Sequence, residues 1–145
     1  MIPPIELEIL KLVAAYYTLT RAQITRLLLP QDRDGRVTRR HLLNLRSKGL
    51  LNRTHMEVSN PDAGMMGPVY YPSRDGCAFL AQECEDDSYL SVCTQTPQWQ
   101  SLYHWVCVAE THILLDQAVA KLDGVAVARW YGEWDVVNPL EREPH

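Results

Sequence analysis

Arg36, Arg40, Asn44 and Ser47 recur at intervals of three or four in the stretch RVTRRHLLNLRSKGLL, residues 36–51. At about 100° per residue, that spacing puts all four on one face of a helix. Such a face offers hydrogen-bond donors to anions and to base edges. Arginine suits the paired acceptors of guanine, asparagine suits adenine, and cations also contact phosphate. Arg39, His41 and Lys48 border the face, and Thr38 flanks the apolar stripe opposite it. Arg21, Arg33 and Arg53 lie close by in the chain. The candidate double-stranded DNA contacts are therefore Arg21, Arg33, Arg36, Thr38, Arg39, Arg40, His41, Asn44, Ser47, Lys48 and Arg53. A solvated basic helix would show the same pattern, so the flanking elements decide.

The helix that carries these residues buries Leu42 and Leu45 and is closed by Gly49, with Lys48 where a cation suits the dipole. Before it, Thr20-Arg21-Ala22-Gln23 reads as a capping box that opens a shorter helix with Ile24, Leu27 and Leu28 inward. Pro30 stops that helix, and residues 31–35 form a polar turn. Two short helices on a tight turn, the second basic, make a helix-turn-helix signature. After it the period changes to two. Residues 51–58 alternate as a strand, SNPDAGMMGP is a turn-rich loop, and Val69–Tyr71 is a second strand, together a hairpin wing. The loop carries Asp62, Met65 and Met66 and no Lys or Arg. That suits a wing resting on a backbone, a partner held through the methionines, or a structural hairpin.

The remaining elements frame this unit. Pro3 and Pro4 open a first helix with Ile5, Ile9, Leu12, Val13 and Tyr16 on one face. Ser73 caps a short helix holding Cys77, Ala78, Leu80 and Ala81. Residues 83–98 are acidic and then polar, and read as a linker. A long apolar helix follows, to about Leu122, and VAVARWY (125–131) alternates as a short strand. The expected fold is α+β and mostly α: a winged helix-turn-helix over 1–82, the linker 83–98, and a long helix, strand and tail over 99–145. The long helix has more apolar surface than a small wing domain needs. Leu102, Trp105, Val106, Ala109 and Ile113 are its candidate dimer interface. Folding back onto its own wing domain is the competing arrangement.

Charge is segregated. Residues 21–53 hold nine Lys or Arg against two acids, net +7, while the rest carries −11, for −4 overall. A polyanion fits one face and is repelled elsewhere. Cys77, Cys84, Cys93 and Cys107 form no CxxC pair, and no signal peptide is evident at the N-terminus, so a reduced, cytoplasmic protein is expected. His104, Cys107 and His112 read as packed rather than zinc-binding. No metal, cofactor or membrane span is expected. No Ser-His-Asp set, Gly-rich phosphate loop or paired carboxylates appear, so no catalytic residue is assigned.

The phrases LTRAQI, RRHLLNLRSKGLL, VYYPSRDG, LYHWVCVAE and RWYGEW, in that order, resemble the replication-relaxation family of plasmid and mobile-element proteins. That family is itself similar to bacterial winged-helix regulators over its first half. Tyr71-Pro72-Ser73-Arg74-Asp75-Gly76 is similar to a Tyr-x-Leu-Thr-x-x-Gly phrase after the wing and departs from it at the leucine. His104-Trp105-Val106-Cys107-Val108 looks like the family's His-Trp opening of the long helix. Longer members continue into what looks like a restriction-endonuclease-type core, with a Glu, then a Pro-Asp pair, then a Glu-x-Asp or Glu-x-Lys strand. Here Glu133 and Asp135 stand without that pattern, so phosphodiester cleavage is not expected. The resemblance implies a dimeric, sequence-specific regulator of plasmid or mobile-element replication, mobilisation or transcription. The alternatives are a protein-binding accessory module with weak DNA contact and the N-terminal part of a larger nuclease-like protein.

Overall fold

The computed structural model describes residues 2–55, 67–98 and 101–128. Helix α1 (Pro4–Tyr16) starts on a proline in its first turn, where no amide is needed, and buries Ile9, Leu10 and Val13. It ends abruptly. Thr18 N–H donates to the Tyr16 carbonyl across Tyr17, whose φ of 73° and ψ of −64° make a γ-turn of the rare positive-φ kind. The Tyr17 phenol secures this strained residue by donating to the Gln95 carbonyl at 2.6 Å and packing edge-on against Trp105. Burial pushes that phenol's pKa well above its ordinary value.

The turn releases strand β1 (Leu19–Thr20), and Thr20 at once caps helix α2 (Arg21–Leu28). The capping box is present: Gln23 N–H donates to Thr20 Oγ1, and Thr20 N–H donates to Gln23 Oε1. Helix α3 (Arg36–Ser47) follows the expected turn and buries Thr38, Leu42 and Leu45. It closes in a Schellman motif. Leu50 N–H donates to Leu45 and Gly49 N–H to Arg46, with Gly49 at φ 74°.

The wing strands are β2 (Leu51–Thr54) and β3 (Val69–Pro72). They pair antiparallel, with Arg53 opposite Tyr70 and Thr54 opposite Val69. The hairpin is the larger part of a three-stranded sheet in the order β1-β3-β2, because β1 pairs with the other edge of β3. All four β3 residues are buried, so the central strand is also the floor of the core. Strand β2 is shorter than the alternation suggested, ending at Thr54, and residues 56–66, with Met65 and Met66, lie outside the described residues.

Helix α4 (Arg74–Glu83) is capped by Ser73, whose Oγ accepts from Gly76 N–H and donates to the Gly49 carbonyl. One hydroxyl therefore ties the end of α3 to the start of α4. A β-carbon at Gly76 would overlap the Leu50 carbonyl, so this position of the VYYPSRDG phrase admits only glycine. The stretch expected to be a linker is built into the unit. It holds a 3-10 turn over Asp87–Ser91, gives Gln95 to Tyr17, bonds Thr96 to the Tyr71 hydroxyl, and buries Pro97.

Helix α5 runs over Leu102–Ala120. By internal contacts the chain divides within it, into Met1–His112 and Ile113–His145. In the second unit Ile113 is buried, and Leu114, Leu115 and Leu122 are exposed. Residues 121–128 carry no strand, and the rest of the expected 125–131 strand lies outside the described residues. No helix among the described residues is long and apolar enough to cross a membrane.

Candidate nucleic-acid interface

The first amides of α3 have no intrahelical acceptor, and the turn before them supplies carboxylates. Asp34 accepts from Arg36 N–H at 3.1 Å. Asp32 accepts from Thr38 N–H and Thr38 Oγ1, each at 2.8 Å, and from Val37 N–H. Both acids of the basic segment are thus spent on capping, which leaves the rest of its surface positive. Thr25 Oγ1 donates to Thr38 Oγ1 at 2.9 Å and binds α2 to α3. The backbone bond from Thr38 holds the Asp32 carboxyl below the usual carboxylate range. A depressed pKa in the folded state contributes stability that is present above about pH 4 and lost as pH falls through the folded value. Asp32→Asn is expected to lower Tm at pH 7 and to lose less on further acidification than the parent chain does. Melts at pH 7 and pH 3 check this; parallel losses in the two chains would contradict it.

Nine of the eleven candidate contacts are exposed: Arg21, Arg33, Arg36, Arg39, Arg40, Asn44, Ser47, Lys48 and Arg53. Four of them, Arg36, Arg40, Asn44 and Ser47, occupy successive turns of α3's outer face as the spacing required. Arg36 shares an exposed ion pair with Asp34 at 3.3 Å and keeps 88% of its side chain in solvent.

The other two candidates are elsewhere. Thr38 is fully buried and its hydroxyl is taken up by Thr25 and Asp32. His41 turns inward to α1, where its Nδ1–H donates to Glu6 Oε2 at 2.7 Å. A carboxylate can only accept, which fixes that tautomer. Arg26, a cation of the basic segment, is also withdrawn. It pairs with Glu110 of α5 at 2.8 Å, and Gln23 Nε2 donates to the same carboxylate oxygen. Arg26 holds the Glu110 carboxyl below its ordinary range.

The structure adds residues that the helical period did not indicate. Arg46 and the exposed Leu43 of α3 line an open groove with Arg21, Arg39 and Arg53. The groove lies between α3, the start of α2 and the wing, and its volume is about 530 Å³. A hint was present in sequence: Arg39, Leu43 and Arg46 are spaced at four and three, a second stripe beside the Arg36–Ser47 stripe.

The five candidate dimer residues differ in exposure. Leu102 and Ala109 are buried, Trp105 packs on Tyr17, Val106 is half-buried, and Ile113 is buried. His112 packs edge-on against Tyr16. Among the described residues no group of His, Cys, Asp and Glu has the makings of a metal site.

The family model described as replication-relaxation matches residues 10–140. The chain belongs to the replication-relaxation family. Over the matched residues the chain supplies the helix-turn-helix, the wing strands and the long helix α5. No curated protein matches the chain. Among solved structures it is similar to Bordetella bronchiseptica BpsR, whose DNA binding is regulated by 6-hydroxynicotinic acid. The TM-score is 0.46 at 13% identity, covering 84% of this chain and 77% of that one.

Proposed function

We propose that this replication-relaxation protein is a sequence-specific double-stranded DNA-binding regulator of plasmid or mobile-element replication, mobilisation or transcription. It acts by occupying its site, without chemistry on the DNA. The observation that carries the reading is the outer face of α3. Arg40 and Asn44 stand exposed on successive turns of a helix whose opposite face is locked into the core by Leu42 and Leu45. A rigid helix with free donors toward solvent suits entry into a major groove.

A homodimer fits the same reading. Leu102 and Ala109 are already buried, so a second copy would meet exposed residues of α5, such as Leu114 and Leu115 in the second unit. One experiment tests both statements. Selection from a random duplex library should return a defined site, two-fold symmetric if the protein binds as a dimer. Arg40→Ala or Asn44→Ala should then cost about 1–3 kcal/mol on that site and relax preference at one position. Recovery of no consensus, or an unchanged consensus in both variants, overturns base reading by α3.

A further inference from the structure

The groove between α3 and the wing is more than a stretch of basic surface. Arg21, Arg39, Arg46 and Arg53 line it, and no carboxylate does among the described residues. Three cations outside it are paired: Arg26 with Glu110, Arg36 with Asp34, Lys11 with Glu8. None of the four groove arginines has an ion pair among the described residues. Four unneutralised guanidiniums around about 530 Å³ repel one another, in a chain whose net charge is −4. An anionic ligand would remove that repulsion.

Two further features make the groove a built site. Its wall includes Thr20, Arg21 and Ala22, the N-terminus of α2. Thr20 Oγ1 satisfies only Gln23 N–H, so the first two amides of α2, on exposed Arg21 and Ala22, have no intrahelical acceptor. The Arg21 side chain also passes close to the turn before α3: an added β-carbon at Gly35 would come within 3.3 Å of Arg21 Nε. Gly35 is buried at φ 73°, directly before α3.

The lining also selects the ligand. Guanidiniums and free helix amides match the oxygens of phosphate, and four positive charges call for more than one phosphate. Its one aromatic, Tyr70, is only 4% exposed and offers no ring face for a base to stack on. We infer that the groove is a cleft for contiguous phosphate groups, held by Arg21, Arg39, Arg46, Arg53 and the α2 N-terminus. One strand of a duplex backbone or a free oligophosphate presents that chemistry. If the duplex is the source, the cleft rests on the proposed function and fixes the register in which α3 meets base edges.

The experiment uses the full chain and two probes, inorganic tripolyphosphate and a random-sequence duplex, by calorimetry and fluorescence anisotropy. Arg39→Gln/Arg46→Gln is compared with Lys11→Gln/Arg74→Gln, which changes formal charge equally outside the groove. Thermal melts confirm that both variants fold. The groove variant is expected to lose about tenfold or more for either probe relative to the control variant, with tripolyphosphate displacing duplex. Loss for duplex alone supports the cleft and assigns it to the DNA backbone; loss for tripolyphosphate alone supports it and assigns it to a free oligophosphate. Equal affinities of the two variants for both probes overturn the cleft. A parent chain that binds tripolyphosphate through these arginines but ignores duplex keeps the cleft and removes the proposed function.

Discussion

Duplex affinity is expected to fall about a thousandfold between 50 and 200 mM monovalent salt. Each neutralised phosphate contributes about −0.9 to the slope of log K against log salt, and about six contacts give that loss. The structure offers at least that many. Arg21, Arg33, Arg39, Arg40, Lys48 and Arg53 are exposed and without an ion pair among the described residues, and Arg46 is half-exposed in the groove. Arg26 contributes nothing, because Glu110 holds it. The acidic remainder makes the effect directional, repelling a duplex that approaches any other face. Anisotropy titrations at four or five salt concentrations measure the slope. Arg53→Gln should reduce its magnitude by about one, with the same loss on every sequence. Binding that is flat across the range would contradict the whole electrostatic account, including the role of the basic segment.

The sequence carried the local part of this interface well. Thr20 and Gln23 are three apart, and a capping box depends on nothing further away. Gly49 closes α3 because it can take a positive φ, and Leu42 and Leu45 face inward because the period puts them there. From sequence, His41 is legible as a border of the exposed face and Thr38 as a flank of the apolar stripe. Whether a border residue turns inward depends on a distant partner: Asp32 and Thr25 for Thr38, and Glu6, 35 residues away, for His41. The pairing of Arg26, one of the nine cations of the basic segment, is hidden for the same reason, since Glu110 is 84 residues on. Strand β1 was hidden because it is two residues long and the second is also a helix cap. On the long helix, the ring partners of Trp105 and His112, Tyr17 and Tyr16 at the end of α1, cannot be seen from the helix's own period.

His41→Ala is expected to be strongly destabilising, at about 3 kcal/mol. Glu6 is 1% exposed, and its Oε1 is buried without a hydrogen-bond partner. Its Oε2 has His41 Nδ1 at 2.7 Å, and the His41 side chain is itself only 14% exposed. Truncating His41 would leave both carboxylate oxygens buried and unpaired, which costs more than a surface ion pair could. With a urea slope of about 1–3 kcal/mol/M, the unfolding midpoint should drop by about 1–3 M. The cause is the stranded carboxylate, so removing it should restore stability. Glu6→Leu/His41→Leu is expected to melt well above His41→Ala and close to the parent chain. The same variants separate anchoring from DNA reading. His41 lies three residues from Asn44, yet His41→Leu in the double variant should leave the selected consensus intact, whereas Asn44→Ala should relax it. A His41→Ala chain as stable as the parent, or a double variant no more stable than that single one, would show that the buried pair does not anchor α3 to α1.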